Sequence, residues 1–316
     1  MHAKKWVGFT LILSMALSIS CTRKERPVIA VVPKGQALQY WQAVRAGAIA
    51  AGQEFGAEIR WNSPASEIDF TRQINIVDDF ISQRVAGIVL APSHGESLVP
   101  IVERAAQEKI AVVIFDSGIQ TDKYLTYIST DNYAGGVLAA RRMGEILMGG
   151  GNIAMIGTLP GSVSTSEREN GFRETIARQF PRLQIAEFQY GMSDQAKSLA
   201  VTKDILSAHP DLLGIFCSNE PGTMGAVQAA KFARMAKKLK IVGFDSAPNL
   251  IKDLQDGNID SLVVQDPFRM GYLGVKAIVD HLHGRGLEKH LNMGATLVTA
   301  ANLKEAAIQE LVFPPH

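Results

Sequence analysis

Four apolar runs in the 316-residue sequence each lead into one side chain able to make several directed hydrogen bonds: Asp116 after AVVIF, Asn219 after GIFCS, Asp245 after IVGF and Gln265 after LVV. A carboxylate accepts from two neighbouring hydroxyls and an amide both donates and accepts, so such groups can read vicinal OH groups by geometry. Asp and Asn after a strand also cap the following helix, a role that suits Gln265 poorly. In open α/β sheets the ligand crevice lies beyond the carboxyl ends of the strands, so polar residues at four such ends point to one shared crevice. Asp116 and Asp245 could be imagined as the carboxylate pair of a glycosidase. Accepting ligand hydrogen bonds needs no chemistry, however, and the chain has no G-x-S-x-G elbow, P-loop or H-E-x-x-H motif. The expectation is binding, not catalysis. The two cysteines, Cys21 and Cys217, lie in unlike contexts, so no disulfide and no Cys-based metal site is expected. His281 and His283 are spaced i, i+2 and would point apart on a helix; with His290 they read as a solvated helix end and turn, and no metal or cofactor is expected.

The elements that must position these residues follow from the apolar patterning. Strand candidates are VIAVV (28–32), AGIVLA (86–91), AVVIF (111–115), NIAMIG (152–157), LGIFC (213–217), KIVGF (240–244) and LVVQ (262–265). They are apolar on consecutive residues, as expected where helices cover both faces of a parallel sheet. Between them Leu98, Ile101, Val102, Ala105 and Ala106 step by three and four, as do Ile74, Val77 and Ile81, which is helical spacing. Gly149, Gly150 and Gly151 stop a helix before the strand at Ile153. The number of βα units exceeds one open sheet of ordinary size. The expected fold class is therefore α/β, with two doubly wound parallel-sheet lobes. No Gly/Ser linker divides the chain, which implies several short crossings between the lobes.

Composition agrees with this: 47% hydrophobic and 20% charged residues suit one or two packed domains, and a net charge of +1 offers nothing to attract nucleic acid. At the N-terminus Lys4 and Lys5 precede an uncharged, mainly apolar run over 6–20, too short for a membrane span of about 20 residues. This is the layout of a secretory signal over 1–21. It ends in Ser20-Cys21, which resembles the lipobox of bacterial lipoproteins, whose Cys is acylated; Ser18 stands where family lipoboxes usually carry Leu. Ordinary signal cleavage near Cys21 is the alternative. Residues 22–26 (TRKER) read as a polar tether.

Taken in order, ISTDNYAGGVLAARRM (128–143), SEREN followed by GF (166–172), HPDLLGIFCSNE (209–220), IVGFDSAP (241–248) and VVQDPFRMGYLGV (263–275) resemble the periplasmic sugar-binding proteins of the ribose-binding type, over about Val28 to Thr299. The resemblance implies two lobes joined by a three-strand hinge, with hinge crossings near Thr130-Asp131, Gln265-Asp266 and Met293-Gly294. It implies an N-terminal lobe of 27–130 with 266–293 and a C-terminal lobe of 131–265 with 294–316. It places the ligand-contacting residues at Tyr40, Trp41, Asp116, Arg168, Asn219, Asp245 and Gln265. An aromatic pair offers an apolar face to a sugar ring, and a guanidinium donates in a rigid fork. Bland readings of three of these exist: burial of Tyr40 and Trp41 at the start of a helix over 40–55, and an exposed Arg168 paired with Glu167 or Glu169. Lys34, His94 and Met192, near the cleft mouth, read as surface or packing residues.

Departures from the ribose pattern are Ala91-Pro92-Ser93-His94 after the second strand candidate, Ser117 after Asp116, and Ser193 at an aromatic position. The implied function is capture of a sugar or polyol, not specifically ribose, for an ABC permease. Alternatives are presentation of a ligand to a membrane sensor or chemoreceptor, and a non-sugar ligand. The resemblance also implies a periplasmic monomer without nucleic-acid partners. A sugar-responsive repressor of the same core would carry an N-terminal helix-turn-helix, where this chain has a signal and a tether. Membrane attachment is expected through Cys21 only, and Cys21→Ser should move the protein from the membrane to the soluble fraction on cell fractionation; membrane retention would instead indicate an uncleaved anchor.

Overall fold

A computed structural model describes residues 26–148 and 150–313, and Cys21 lies outside them. Two six-stranded sheets organise the chain. The first contains β1 (Val28–Val32), β2 (Glu58–Trp61), β3 (Gly87–Leu90), β4 (Ala111–Phe115), β5 (Tyr127–Ser129) and β11 (His290–Asn292), in the order β11-β5-β4-β3-β1-β2 with every pairing parallel. The second contains β6 (Gly150–Gly157), β7 (Arg182–Tyr190), β8 (Leu212–Cys217), β9 (Lys240–Phe244), β10 (Ser261–Val264) and β12 (Thr296–Thr299), in the order β12-β10-β9-β8-β6-β7, antiparallel only between β10 and β12. Counted within each lobe, the first five strands run 2-1-3-4-5, a doubly wound order whose ligand crevice lies at the point where the strand order reverses.

The uninterrupted apolar runs are explained by layers on both faces. In β1, Ile29 and Val31 face α1 (Gln39–Phe55) and α9 (Pro267–Leu282), while Ala30 and Val32 join the core under α2 (Phe70–Ser82) and α3 (Val99–Gln107). In the second sheet Phe216, Val242 and Phe244 pack under α4 (Asn132–Ile146) and α5 (Val163–Gln179). Ile215, Cys217 and Ile241 lie on the opposite face, under α6 (Gln195–Ala208), α7 (Glu220–Phe232) and α8 (Pro248–Gln255). Cys217 is a fully buried thiol, and burial raises its pKa.

The strands without a long apolar run sit mostly at sheet edges. β2 and β7 alternate exposed and half-buried residues for part or all of their length, and β11 and β12 end the two sheets at the other side. Only one face of such a strand meets a core, so polar residues are tolerated and the run breaks up.

The chain passes between the sheets three times: from β5 to α4, from β10 to α9, and from β11 to β12. Each lobe is tied to a helix that enters from the other. Both tie points use paired glycines. A Cβ on Gly47 would lie 1.9 Å from the Phe268 carbonyl oxygen and one on Gly271 2.0 Å from that of Val44, so α1 and α9 touch backbone to backbone. In the second lobe a Cβ on Gly136 would lie 2.0 Å from the Arg168 carbonyl oxygen and one on Gly171 2.2 Å from that of Tyr133, which locks α4 onto α5.

Gly136→Ala must therefore push α4 away from α5, and overpacking of this kind costs up to about 3 kcal/mol. The expected result is a lower urea midpoint with an unchanged m-value. Because the clashing atom belongs to Arg168, ligand affinity should fall as well.

Candidate functional site

The carboxyl ends of the central strands of both sheets meet in one cleft. From the first lobe come Lys34, two residues past β1; Tyr40 and Trp41 in the first turn of α1; Glu67 from the loop before α2; and Asp116, directly after β4. From the second come Ser164 and Arg168 of α5, Thr158 after β6, Asn219 and Glu220 at the start of α7, Asp245 after β9 and Gln265 after β10. The space left between these side chains is about 30 Å³.

On the first-lobe side the Tyr40 hydroxyl donates to Asp116 Oδ1 at 2.8 Å, while Lys34 Nζ lies 2.7 Å from Asp116 Oδ2 and donates to Ser164 Oγ at 3.1 Å. Both members of the Lys34–Asp116 pair are about 95% buried (5% exposed). The lysine lies off the line of a hydrogen bond, so Oδ2 has charge compensation but no aligned donor. Burial, reinforced by Asp116, raises the Tyr40 phenol well above its ordinary range, which keeps it a neutral donor. Trp41 is buried with its Nε1 donating to Glu67 Oε1 at 2.7 Å, and it packs edge-on against Tyr40 and Phe115.

On the second-lobe side Arg168 is 2% exposed. It does not pair with Glu167 or Glu169: Nε donates to Asn132 Oδ1 at 2.8 Å, Nη1 to the Ser218 carbonyl at 2.9 Å and Nη2 to Gln265 Oε1 at 2.8 Å, with the guanidinium 4.2 Å above the Phe244 ring. Gln265 accepts from Thr130 Oγ1 at 2.8 Å and passes its amide N–H to Asp245 Oδ1 at 2.7 Å, which joins two of the interlobe crossings to the site. Burial raises the Asp245 carboxyl, and Arg168 and the Gln265 bond oppose the rise.

Asp116 and Asp245 occupy matching places after the fourth strand of each lobe, and both have positive φ, 61° and 69°. Neither caps a helix. Non-glycine residues held in the left-handed region are strained, and such strain collects at functional sites. Asn219 is a helix cap that also lines the cleft: Oδ1 caps α7 at the Gly222 N–H, 3.0 Å, and Nδ2 donates to Ser193 Oγ at 3.1 Å. Gln265 leaves the cap of α9 to Asp266.

All seven sequence-predicted residues thus line one cleft. Of the surface and packing readings of Lys34, the structure excludes the surface one and adds a place in the cleft: it is buried and ion-paired, because the Asp116 carboxylate would otherwise be buried without a counter-charge. Its position just past the carboxyl end of β1 was the available signal. Ser193 compensates for its missing ring with a hydroxyl that donates to Glu67 Oε2 at 2.8 Å across the cleft. Glu67 and Glu220 carried no sequence signal, since what matters in each is where another segment meets it. His94 packs over Gly161 of the opposite lobe, where a Cβ would lie 2.3 Å from its ring. Among the described residues no group of three or more His, Cys, Asp or Glu side chains is arranged to hold a metal.

A doubly wound pair of lobes with buried polar groups converging from both sides of a cleft defines a two-lobe solute-binding protein. The family described as periplasmic binding protein domain matches residues 29–286, and the chain belongs to that family. It is 30% identical over 231 residues to the ribose import binding protein RbsB of Bacillus subtilis, covering 73% of this chain and 74% of that one. It is 29% identical to the D-allose-binding periplasmic protein of Escherichia coli, covering 79% and 83%. Among solved structures it resembles a carbohydrate transporter solute-binding protein of Agrobacterium radiobacter in complex with D-arabinose, with TM-score 0.89, 30% identity and coverage of 92% and 99%. An ABC transporter solute-binding protein of Agrobacterium vitis with bound D-fucose gives TM-score 0.88, 35% identity and coverage of 90% and 100%. The family is one of extracytoplasmic transport proteins and not an enzyme family.

Removing one partner of a buried ion pair costs about 3–5 kcal/mol because the other charge is stranded. Asp116→Ala should lose stability on that scale in chemical denaturation, and Lys34→Met/Asp116→Ala should regain most of it while ligand binding stays lost.

Proposed function

We propose that the protein captures a neutral monosaccharide or polyol between its lobes and delivers it to an ABC permease without chemical change. In this reading residues 27–130 with 266–293 and 131–265 with 294–316 close as two bodies, and Tyr40, Trp41, Asp116, Arg168, Asn219, Asp245 and Gln265 contact the ligand. The observation that carries it is the convergence of Asp116 from one lobe and Arg168, Gln265 and Asp245 from the other on one cleft. A ligand touching both sides favours the closed form by differential contact, which is what ligand-driven closure requires. Asp116 and Asp245 supply acceptors for hydroxyl pairs, Arg168 supplies a planar donor fork, and Tyr40 and Trp41 supply the apolar face. The sugars named with the relatives above support this ligand class. Attachment to the membrane runs through Cys21 alone.

The charges in the cleft support a neutral ligand. Carboxyl groups of Glu67, Asp116, Glu220 and Asp245 line it against the cations Lys34 and Arg168, so the carboxylate of a sugar acid would add a buried anion without a free counter-charge.

A thermal-shift panel of pentoses, hexoses, polyols, uronic acids, nucleosides and amino acids, run on protein freed of carried-over ligand, tests this. A ligand at about 1,000 times its dissociation constant stabilises the native state by about 4 kcal/mol. Neutral sugars or polyols should shift the midpoint by several degrees and uronic acids should not. Arg168→Ala should lose most of the affinity while retaining its fold. A response confined to amino acids, nucleosides or sugar acids would overturn the proposal.

A further inference from the structure

Helix α1 begins without a cap of its own. Its N-cap residue is Leu38, which makes no side-chain cap bond, and its first turn holds no acidic residue. The first N–H groups of a helix have no partner inside it. Two of them are met instead by a residue of the other lobe: Gln39 N–H donates to Glu220 Oε1 and Tyr40 N–H to Glu220 Oε2, each at 3.3 Å. Glu220 opens α7 and is 2% exposed. The carboxylate forks over two adjacent donors, one of which belongs to the residue whose hydroxyl holds Asp116. Because the partners sit on opposite sides of the cleft, the contact exists only when the lobes are together.

We propose that Glu220 caps α1 from the opposite lobe as the cleft closes, and thereby positions Tyr40 and Trp41 against the ligand. This rests on the sugar-capture reading above, and it assigns a role to a residue outside the seven ligand contacts. The helix dipole and the two N–H bonds favour a charged carboxylate there, but they offset only part of the cost of burying its charge. Loss of an N-cap side chain shifts an equilibrium by roughly fivefold.

The same geometry couples closure to protons. Glu220 faces Asp245 from the turn after β9, Glu67 from the loop before α2 and the Tyr40 and Gln39 N–H groups from α1, with Asp116, Lys34 and Arg168 lining the same cleft. Burial first, then the negative charge of Asp245, pushes the Glu220 carboxyl up to about 7, against the pull of the two N–H bonds. In an open cleft the same group in water titrates near the ordinary glutamate value of about 4.3. Between those values the closed form holds a proton that the open form has released, so closing takes up a proton. Affinity is therefore highest on the acid side, falls as pH rises through about 7 and levels off above it. The linkage amounts to roughly tenfold between pH 6 and pH 8.

The test is calorimetric titration with the tightest-binding sugar of the panel at pH 6 and pH 8, on wild type, Glu220→Gln and Glu220→Ala. The amide mimics the protonated acid: it keeps one acceptor oxygen for α1 and has no charge to bury. Wild type should bind roughly tenfold more weakly at pH 8 than at pH 6. Glu220→Gln should lose that slope and hold its affinity at pH 8, and Glu220→Ala should bind roughly fivefold more weakly than Glu220→Gln at both values. A flat wild-type profile, an equal slope in wild type and Glu220→Gln, or an alanine variant as tight as the glutamine variant would each overturn the proposal while leaving sugar capture intact. A wild type that binds no sugar at either pH would overturn sugar capture and this inference with it.

Discussion

Charge taken out of water must be compensated where it lands, and the architecture of this protein is arranged around that constraint. Asp116 and Arg168 arrive from opposite lobes, each almost without solvent. An uncompensated ion in such a place is prohibitively costly. The first lobe answers with Lys34 and the Tyr40 hydroxyl on the two oxygens of Asp116. The second surrounds Arg168 with three neutral oxygens and the Phe244 ring. Neutral oxygens accept its N–H groups, and its charge is set against the neighbouring Asp245 carboxyl, whose pKa it holds down.

The two lobes solve the positioning problem in the same way. Each is a doubly wound sheet, each places an aspartate with positive φ after its fourth strand, and each seats a functional helix by glycine-to-backbone contact. In the second lobe the contact falls on the site itself: Gly136 rests on the carbonyl of Arg168. Strand ends deliver Asp116, Asp245 and Gln265, and rigid helices deliver Tyr40, Trp41 and Arg168. Gln265 then ties the interlobe crossings to the cleft, since it bonds Thr130, Arg168 and Asp245 at once. Two of the interlobe crossings are therefore linked to the cleft side chains by hydrogen bonds.

The central strands were legible in the sequence because burial on both faces demands continuous apolar residues, and β1, β3 and β4 satisfy that demand without interruption. The edge strands β2 and β7 were not, because one exposed face lets polar residues in. In the site, the strand-end residues were legible from chain position alone, whereas Tyr40, Trp41 and Arg168 needed the family resemblance. Read as surface or packing, Lys34 could not be placed in the site from the sequence because its counter-charge is 82 positions away, at Asp116. Glu67, Ser193 and Glu220 depend on contacts between segments that no local pattern encodes.

The central claim is that one sugar-sized ligand is held simultaneously by Asp116 of the first lobe and Arg168 of the second. A crystal structure of the protein grown with the tightest-binding sugar tests it most directly. The account predicts ligand hydroxyls within hydrogen-bond distance of both side chains, with a face of the ring against Tyr40 or Trp41. A sugar bound to one lobe only, or lying outside the cleft with the Lys34–Asp116 and Arg168–Gln265 contacts undisturbed, would contradict it.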